Sequence, residues 1–147
     1  MAVEVVRLAA LEAAEGAVLL AQAESVHRQL RPQLRDDYGA QMREVFADGG
    51  EMCIARAEGR VVGLAVFRVF ANTNVGRRFY VDDLVTDEGS RSRGIGRHLL
   101  AWLEAEAASR GCTTVELESG TGRGGAHRFY FRERFAITAF SFRKTVR

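Results

Sequence analysis

Two rhythms of apolar and polar positions run along this chain, one of period two and one near 3.6 residues, and the switches between them mark its elements. Val3 to Leu8 is rich in β-branched residues and reads as a first strand. Leu11 to Ala23 follows as an alanine-rich helix with Leu11, Val18 and Leu19 at helical spacing. After a junction at Ser25 to Arg31, a second helix is predicted from about Pro32 to Phe46. Pro32 suits a first turn, Asp36 and Asp37 lie near the positive end, and Asp48-Gly49-Gly50 stops it. Met52 to Ala57 and Val61 to Phe70 form a hairpin around Glu58-Gly59-Arg60. The Asn72 to Gly76 cluster then turns the chain into a third strand, Arg77 to Thr86.

From Arg97 to Ala108 the spacing is helical again, and Gly111 suits the end of that helix. Thr113 to Glu118 is the next strand, reached through a helical crossover and so parallel to its predecessor. Ser119 to Gly125 is loop, and Ala126 to Arg134 reads as a short helix. Ile137 to Val146, where Phe140 and Phe142 alternate with Ser141 and Arg143, is expected to close the sheet. The order β-α-α-β-β-β-α-β-α-β describes an α/β fold, a mixed sheet with helices on its faces. At 147 residues it is expected to be a single domain, 1–147.

Composition narrows the function classes. The 47% hydrophobic and 27% charged fractions are those of an ordinary globular protein. No apolar run approaches the ~20 residues that span a membrane. Met1-Ala2-Val3-Glu4-Val5 lacks the basic start and apolar core of a secretory signal, so a cytoplasmic location is expected. A net charge of +2, with the 20 arginines spread along the chain beside the single Lys144, argues against a nucleic-acid partner. Cys53 and Cys112 lack CxxC spacing and read as small core residues. His27, His98 and His127 show no ligand spacing, so no metal site is expected.

One stretch carries chemistry. Arg91-Ser92-Arg93-Gly94-Ile95-Gly96 lies between a strand ending Leu84-Val85 and a helix beginning near Arg97-His98-Leu99-Leu100. Such a junction points free backbone N–H groups and the positive end of a helix dipole at one spot, which suits phosphate. Gly94 and Gly96 let an anion approach the backbone, and Arg91, Arg93 and Arg97 add positive charge. A P-loop needs Lys-Ser/Thr after the last glycine, where this chain has Arg97-His98. A dinucleotide fingerprint needs a third glycine where Leu99 stands.

What remains, Arg-x-x-Gly-x-Gly opening a helix, resembles the pyrophosphate loop of the GCN5-related N-acetyltransferases. A second segment, Ala126-His127-Arg128-Phe129-Tyr130 continuing to Phe135, resembles the family's Ala-x-x-Phe-Tyr-x-x-x-Gly-Phe helix. It lies one strand further on, as in the family. Leu99 to Leu103 and Ala126 to Tyr130 look closest to the aminoalkylphosphonate branch.

The resemblance implies acetyl-CoA as cosubstrate. Residues 91 to 97 (Arg91, Ser92, Arg93, Gly94, Ile95, Gly96, Arg97) would hold its pyrophosphate, Leu84, Val85 and Thr86 its pantetheine arm, and His127, Phe129 and Tyr130 its flank. Tyr130 matches the tyrosine whose hydroxyl protonates the departing thiolate, a task open to a phenol that stays protonated near neutral pH. A small-molecule primary amine is the expected acceptor, and it must lose a proton before attack. The resemblance also admits a homodimer.

Strand alternation puts Asp82 and Asp83 on opposite faces unless the bulge that the family carries in this strand intervenes. Asp83 aligns with an acidic residue common in the family and is the candidate base. Glu118 comes second, and Asp82 and Glu116 are the other carboxylates of the region. Two departures stand out: Gly120 occupies the place of an asparagine that contacts coenzyme A, and Arg134 replaces the glycine that ends the last helix, so a different cap is expected. The alternatives to a small-molecule enzyme are an acyl-CoA sensor without turnover and a protein N-acetyltransferase.

Overall fold

The computed structural model describes residues 2–147. Its strands are β1 (Glu4–Arg7), β2 (Glu51–Ala57), β3 (Arg60–Asn72), β4 (Gly76–Thr86) and β5 (Val115–Leu117). The helices are α1 (Ala13–Leu30), α2 (Tyr38–Ala47), α3 (Ile95–Ser109) and α4 (Gly124–Arg132). The strands form one mixed sheet in the order β1-β2-β3-β4-β5, with β1 to β4 antiparallel in sequence. The chain divides into two compact units, Met1–Glu116 and Leu117–Arg147.

In the first unit the period-two pattern sorts side chains to two faces. Met52, Ile54, Leu64 and Val66 pack with Leu19, Ala23, Val26, Tyr38 and Met42 of the α1–α2 side. On the other face Phe67 stacks on Phe79 at 4.9 Å between ring centroids and meets Trp102 of α3 at 5.9 Å. The two-residue hairpin turn uses Glu58 and Gly59, both at positive φ (52° and 73°), as its strand twist requires. Asn72 turns β3 into β4 by accepting through Oδ1 from the amides of Asn74 and Val75.

The first helix pair differs from its prediction. α1 continues to Leu30, through the stretch expected to be a junction, and Pro32 lies beyond its end instead of opening α2. A proline disfavours helical backbone in the residue before it, and Arg31 accordingly leaves the helix at ψ 73°. α2 starts at Tyr38, capped by Asp37, whose Oδ1 accepts from the Ala40 amide at 2.9 Å.

The closing strand expected at Ile137 to Val146 is absent. Residues after Arg134 lie outside any helix or strand, and Phe140 and Phe142 are exposed. Alternation describes a face that a strand could bury, but a strand also needs backbone partners.

Arg134 brings a second correction. It adopts the left-handed conformation itself, at φ 69°, while the Phe135 amide donates to Tyr130 O at 2.9 Å and the Arg134 amide to Phe131 O at 3.1 Å. The glycine-type cap persists with a side chain in it, at a cost of ~1 kcal/mol.

Candidate active site

The mouth of α3 is made of backbone. Gly94 is its N-cap, at φ 76°, and no side chain caps the helix. The first intrahelical bond is His98 N–H to Gly94 O, at 3.1 Å, so the amides of Ile95, Gly96 and Arg97 face outward from the first turn. A Cβ built on Gly94 would meet nothing within 4 Å, so the space beside the cap is open. Arg91, Arg93 and Arg97 are all exposed around it, while the Ile95 side chain is buried and anchors the turn. That anchor depends on Gly63 of β3, where a Cβ would sit 2.9 Å from Ile95 Cγ2, 3.0 Å from Val85 O and 3.1 Å from Leu99 Cδ1.

The approach to the loop is clamped from α1. Gln29 donates through Nε2 to Asp87 Oδ1 at 2.8 Å and accepts through Oε1 from the Glu88 amide at 2.9 Å. Asp87 in turn donates its amide to Val62 O at 2.8 Å and accepts the buried Ser90 amide at 2.9 Å.

β4 carries a bulge. Val66 pairs with Asp83 and Phe67 with Val81, so Asp82 is the extra residue. The bulge overrides alternation, and both aspartates line one cavity of about 340 Å³. Its walls include Leu34, Met42, Val45 and Val66, and its charged groups are Arg31 and Arg68 with Asp48, Asp82 and Asp83. Arg68 grips Asp82 in a two-pronged pair, Nε to Oδ2 at 2.6 Å and Nη2 to Oδ1 at 2.8 Å.

Asp83 sits in a buried relay. Its Oδ2 is 2.7 Å from His27 Nε2, and its Oδ1 accepts from Arg31 Nε at 2.8 Å. His27 Nδ1 lies 2.8 Å from the Tyr38 hydroxyl. Burial, and next Glu24, push the Tyr38 phenol far above its ordinary value, so it stays protonated. An ionised carboxylate only accepts, so His27 Nε2 carries the hydrogen donated to Asp83. Burial pushes the Asp83 carboxyl up, but the hydrogen bonds from His27 and Arg31 and the Arg31 charge outweigh it and hold the group below the usual carboxylate range. Leu84, Val85 and Thr86 continue β4 beyond the bulge, opposite Ala65, Leu64 and Gly63.

The second unit holds the other candidates. On α4, Tyr130 lies between Phe129 and Phe135, each 5.6 Å away between ring centroids. Burial pushes its phenol up against a weaker opposing effect of Arg123, so it is a protonated donor at neutral pH. His127 Nε2 donates to Gly120 O at 2.8 Å, tying the loop to the helix. Glu118 is exposed. In the first unit Glu116 pairs with Arg78 at 3.0 Å.

Sequence reasoning singled out Asp83 and the loop as candidates, but gave no sign that the fold would bring His27, Arg31 and Tyr38 to the one and Gln29 to the approach of the other. His27 and Asp83 are 56 positions apart, and no local pattern links them. The only trace was a histidine and an arginine in a stretch expected to be irregular. Cys53 is buried, its thiol pushed up to about 12 by burial, and takes no part in the site. Among the described residues no cluster of three or more His, Cys, Asp or Glu could hold a metal.

A bulged strand and a helix opening on bare amides, set in one mixed five-stranded sheet with helices, define an α/β fold. The particular family follows from comparison: residues 18–135 match the model of the acetyltransferase (GNAT) family, and the chain belongs to that family. The aminoalkylphosphonate N-acetyltransferase of Salmonella typhimurium is 39% identical over 66 residues, 45% of this chain and 43% of that protein. The chain spans about half the length of the curated relatives it matches. In structure it is similar to an acetyltransferase of Trypanosoma brucei (TM-score 0.76, 22% identity, 99% of this chain and 100% of that one). It is also similar to the aminoglycoside N-acetyltransferase AAC(6')-Iy in complex with CoA (TM-score 0.82, 18% identity, 99% and 95%).

Proposed function

We propose that this protein transfers an acetyl group from acetyl-CoA to the primary amine of a small molecule bound in the cavity beside the β4 bulge. The observation that carries the reading is the pairing, within one unit, of an open row of amides at the mouth of α3 with a bulged β4 whose two aspartates face a cavity of small-molecule size. The residues at that mouth fit a diphosphate: Gly94 leaves room, and Ile95, Gly96 and Arg97 supply donors. Acetyl-CoA supplies the thioester, and the chain supplies placement and proton handling. Arg91, Ser92, Arg93 and Arg97 border the diphosphate, and Leu84, Val85 and Thr86 offer backbone groups to the pantetheine arm.

Asp83 meets the acceptor's ammonium as a carboxylate. With both oxygens in hydrogen bonds and its proton affinity lowered, its part is to hold the amine and draw its proton toward a neighbouring water. Glu118 is the second candidate for that proton. Tyr130 donates its phenolic proton to the leaving sulfur, with His127 and Phe129 on the same helix beside coenzyme A. The unbridged, buried cysteines suit a reducing cytoplasm.

Release of free thiol from acetyl-CoA, measured against a panel of small amines, tests the activity. At least one amine should turn over, and Tyr130→Phe should lower kcat by about a hundredfold. Cofactor binding without turnover on any amine, or an unaltered kcat in Tyr130→Phe, would overturn the assignment. The panel should include aminoalkylphosphonates. Arg31 and Arg68 each already face an aspartate, so turnover of an anionic acceptor would mean that one of them exchanges partners.

A further inference from the structure

The buried end of the Asp83 relay has no part in the acetyl-transfer reading as it stands. His27 is only 1% exposed. Both its ring nitrogens are taken, Nε2 by Asp83 Oδ2 at 2.7 Å and Nδ1 by the Tyr38 hydroxyl at 2.8 Å, so none is left to bind an acceptor. The Tyr38 ring stands edge-on to the imidazole, 5.6 Å between centroids at 87°, and fixes its plane. Around the pair lies apolar core: Ala23 and Val26 on the same helix, and Met42 beside Tyr38. An aliphatic side chain would fill this place without burying two nitrogens, and such exchanges are often neutral or stabilising. What it would not supply is the N–H to Asp83.

We propose that His27, held by Tyr38, is a positioning residue that keeps the Asp83 carboxylate ionised and fixed in the cavity wall, and thereby sets the lowest pH at which the acceptor amine is held. The inference rests on the reading that Asp83 receives the acceptor. The two partners of Asp83 divide the work. Arg31 is 41% exposed at its side chain, so water screens its charge, and it also donates to Asp82 O at 3.0 Å, holding the strand as much as the carboxylate. His27 makes the contact from the dry side, where a hydrogen bond to a charge counts for most. Burial pushes the Asp83 carboxyl up, and the His27 hydrogen bond stands first among the influences that bring it down. A phenol both donates and accepts, so Tyr38 satisfies Nδ1 whether or not that nitrogen carries a hydrogen, and the Nε2–H bond persists in either state. The other charges facing the relay are Arg68, Asp82 and Asp48 in the cavity wall, with Glu24 and Arg28 facing Tyr38 and paired to each other at 2.8 Å. None of these changes in the variants that test the proposal.

His27→Leu keeps the bulk and removes the N–H, while His27→Gln restores a donor at the reach of Nε2. With acetyl-CoA and an amine that the parent turns over, His27→Leu should raise the amine KM about tenfold or more. The acid limb of kcat/KM for the amine should move up by about one pH unit, and the acetyl-CoA KM should stay within about twofold. His27→Gln should recover most of both losses. Tyr38→Phe deletes one oxygen and should shift the acid limb in the same direction by less, which carries the test should His27→Leu not fold. Carbon-13 titration of the Asp83 carboxyl gives the comparison without turnover: its midpoint should rise in His27→Leu and return in His27→Gln. A parent-like pH profile and Asp83 midpoint in His27→Leu, or a His27→Gln variant no better than His27→Leu, would overturn the proposal, because packing alone would then account for the residue. A parent that turned over no amine would sink the acetyl-transfer reading instead, and the Asp83 titration would still decide whether His27 holds the carboxylate ionised.

Discussion

The mouth of α3 and the cavity at the β4 bulge lie in the same unit and are built on opposite principles. The mouth is backbone: a glycine cap at positive φ and amides left over from helix geometry, with no capping side chain. The cavity is side chain: each of its two β4 aspartates is held by an arginine, and one also by a buried histidine that a tyrosine orients. A backbone site recognises a group common to every reaction of its kind and needs only room and a fixed helix. A side-chain site can be re-specified residue by residue, but each charge it buries must keep its partner.

Substitutions should separate the two, beginning with the most damaging. Gly63→Val places a branched side chain against Ile95, Val85 O and Leu99, and the contact with backbone oxygen cannot relax by rotamer change. It should cost about 2–3 kcal/mol and raise KM for acetyl-CoA sharply while leaving the Asp83 relay formed. Chemical denaturation with cofactor titration checks this, and a cofactor KM like the parent's would mean the mouth does not depend on β3.

Asp83→Asn leaves Arg31 and His27 without their carboxylate. The pair is partly open to water, Arg31 being 41% exposed at its side chain, so the loss should be about 2 kcal/mol, below the value for a fully buried pair. The sign with pH follows from the lowered carboxyl value. The contribution is fully present above the ordinary aspartate range, about 4, and fades as pH falls through the lower folded value. The stability gap between parent and variant should therefore be constant near neutrality and close in acid. A gap that persisted unchanged at the lowest accessible pH would show that the carboxylate charge is not what stabilises the relay.

Gly94→Asp sharpens the comparison from the other side. Its left-handed backbone is tolerable for aspartate, so stability should fall by only about 1 kcal/mol, but a negative charge over the outward amides should weaken acetyl-CoA binding at least tenfold. With the amine bound in the cavity as proposed, its KM should move little. Equal effects on both substrates would join the two sites that the geometry separates. The smallest effect is expected at Arg134→Gly, which relieves a side chain at φ 69° and should stabilise by up to about 1 kcal/mol, readable as a rise in Tm.

Much of this architecture is local and could be read in order along the chain. The hairpin follows from Glu58-Gly59, the end of α3 from Gly111 at φ 75°, and the uncapped mouth of α3 from Gly94 and Gly96 between a strand and a helix, because turn, cap and dipole are properties of a few consecutive residues. Tertiary structure decided what consecutive residues cannot specify. It carried α1 past the expected junction so that His27 reaches Asp83 and Gln29 clamps Asp87, and through the bulge at Asp82 it turned two neighbouring aspartates into one cavity. It also left residues 137–146 out of the sheet, although their alternation is that of a strand. Side-chain charge pairs and strand partners are contacts between distant positions, whose free energy depends on which surfaces meet, and only the folded chain settles that.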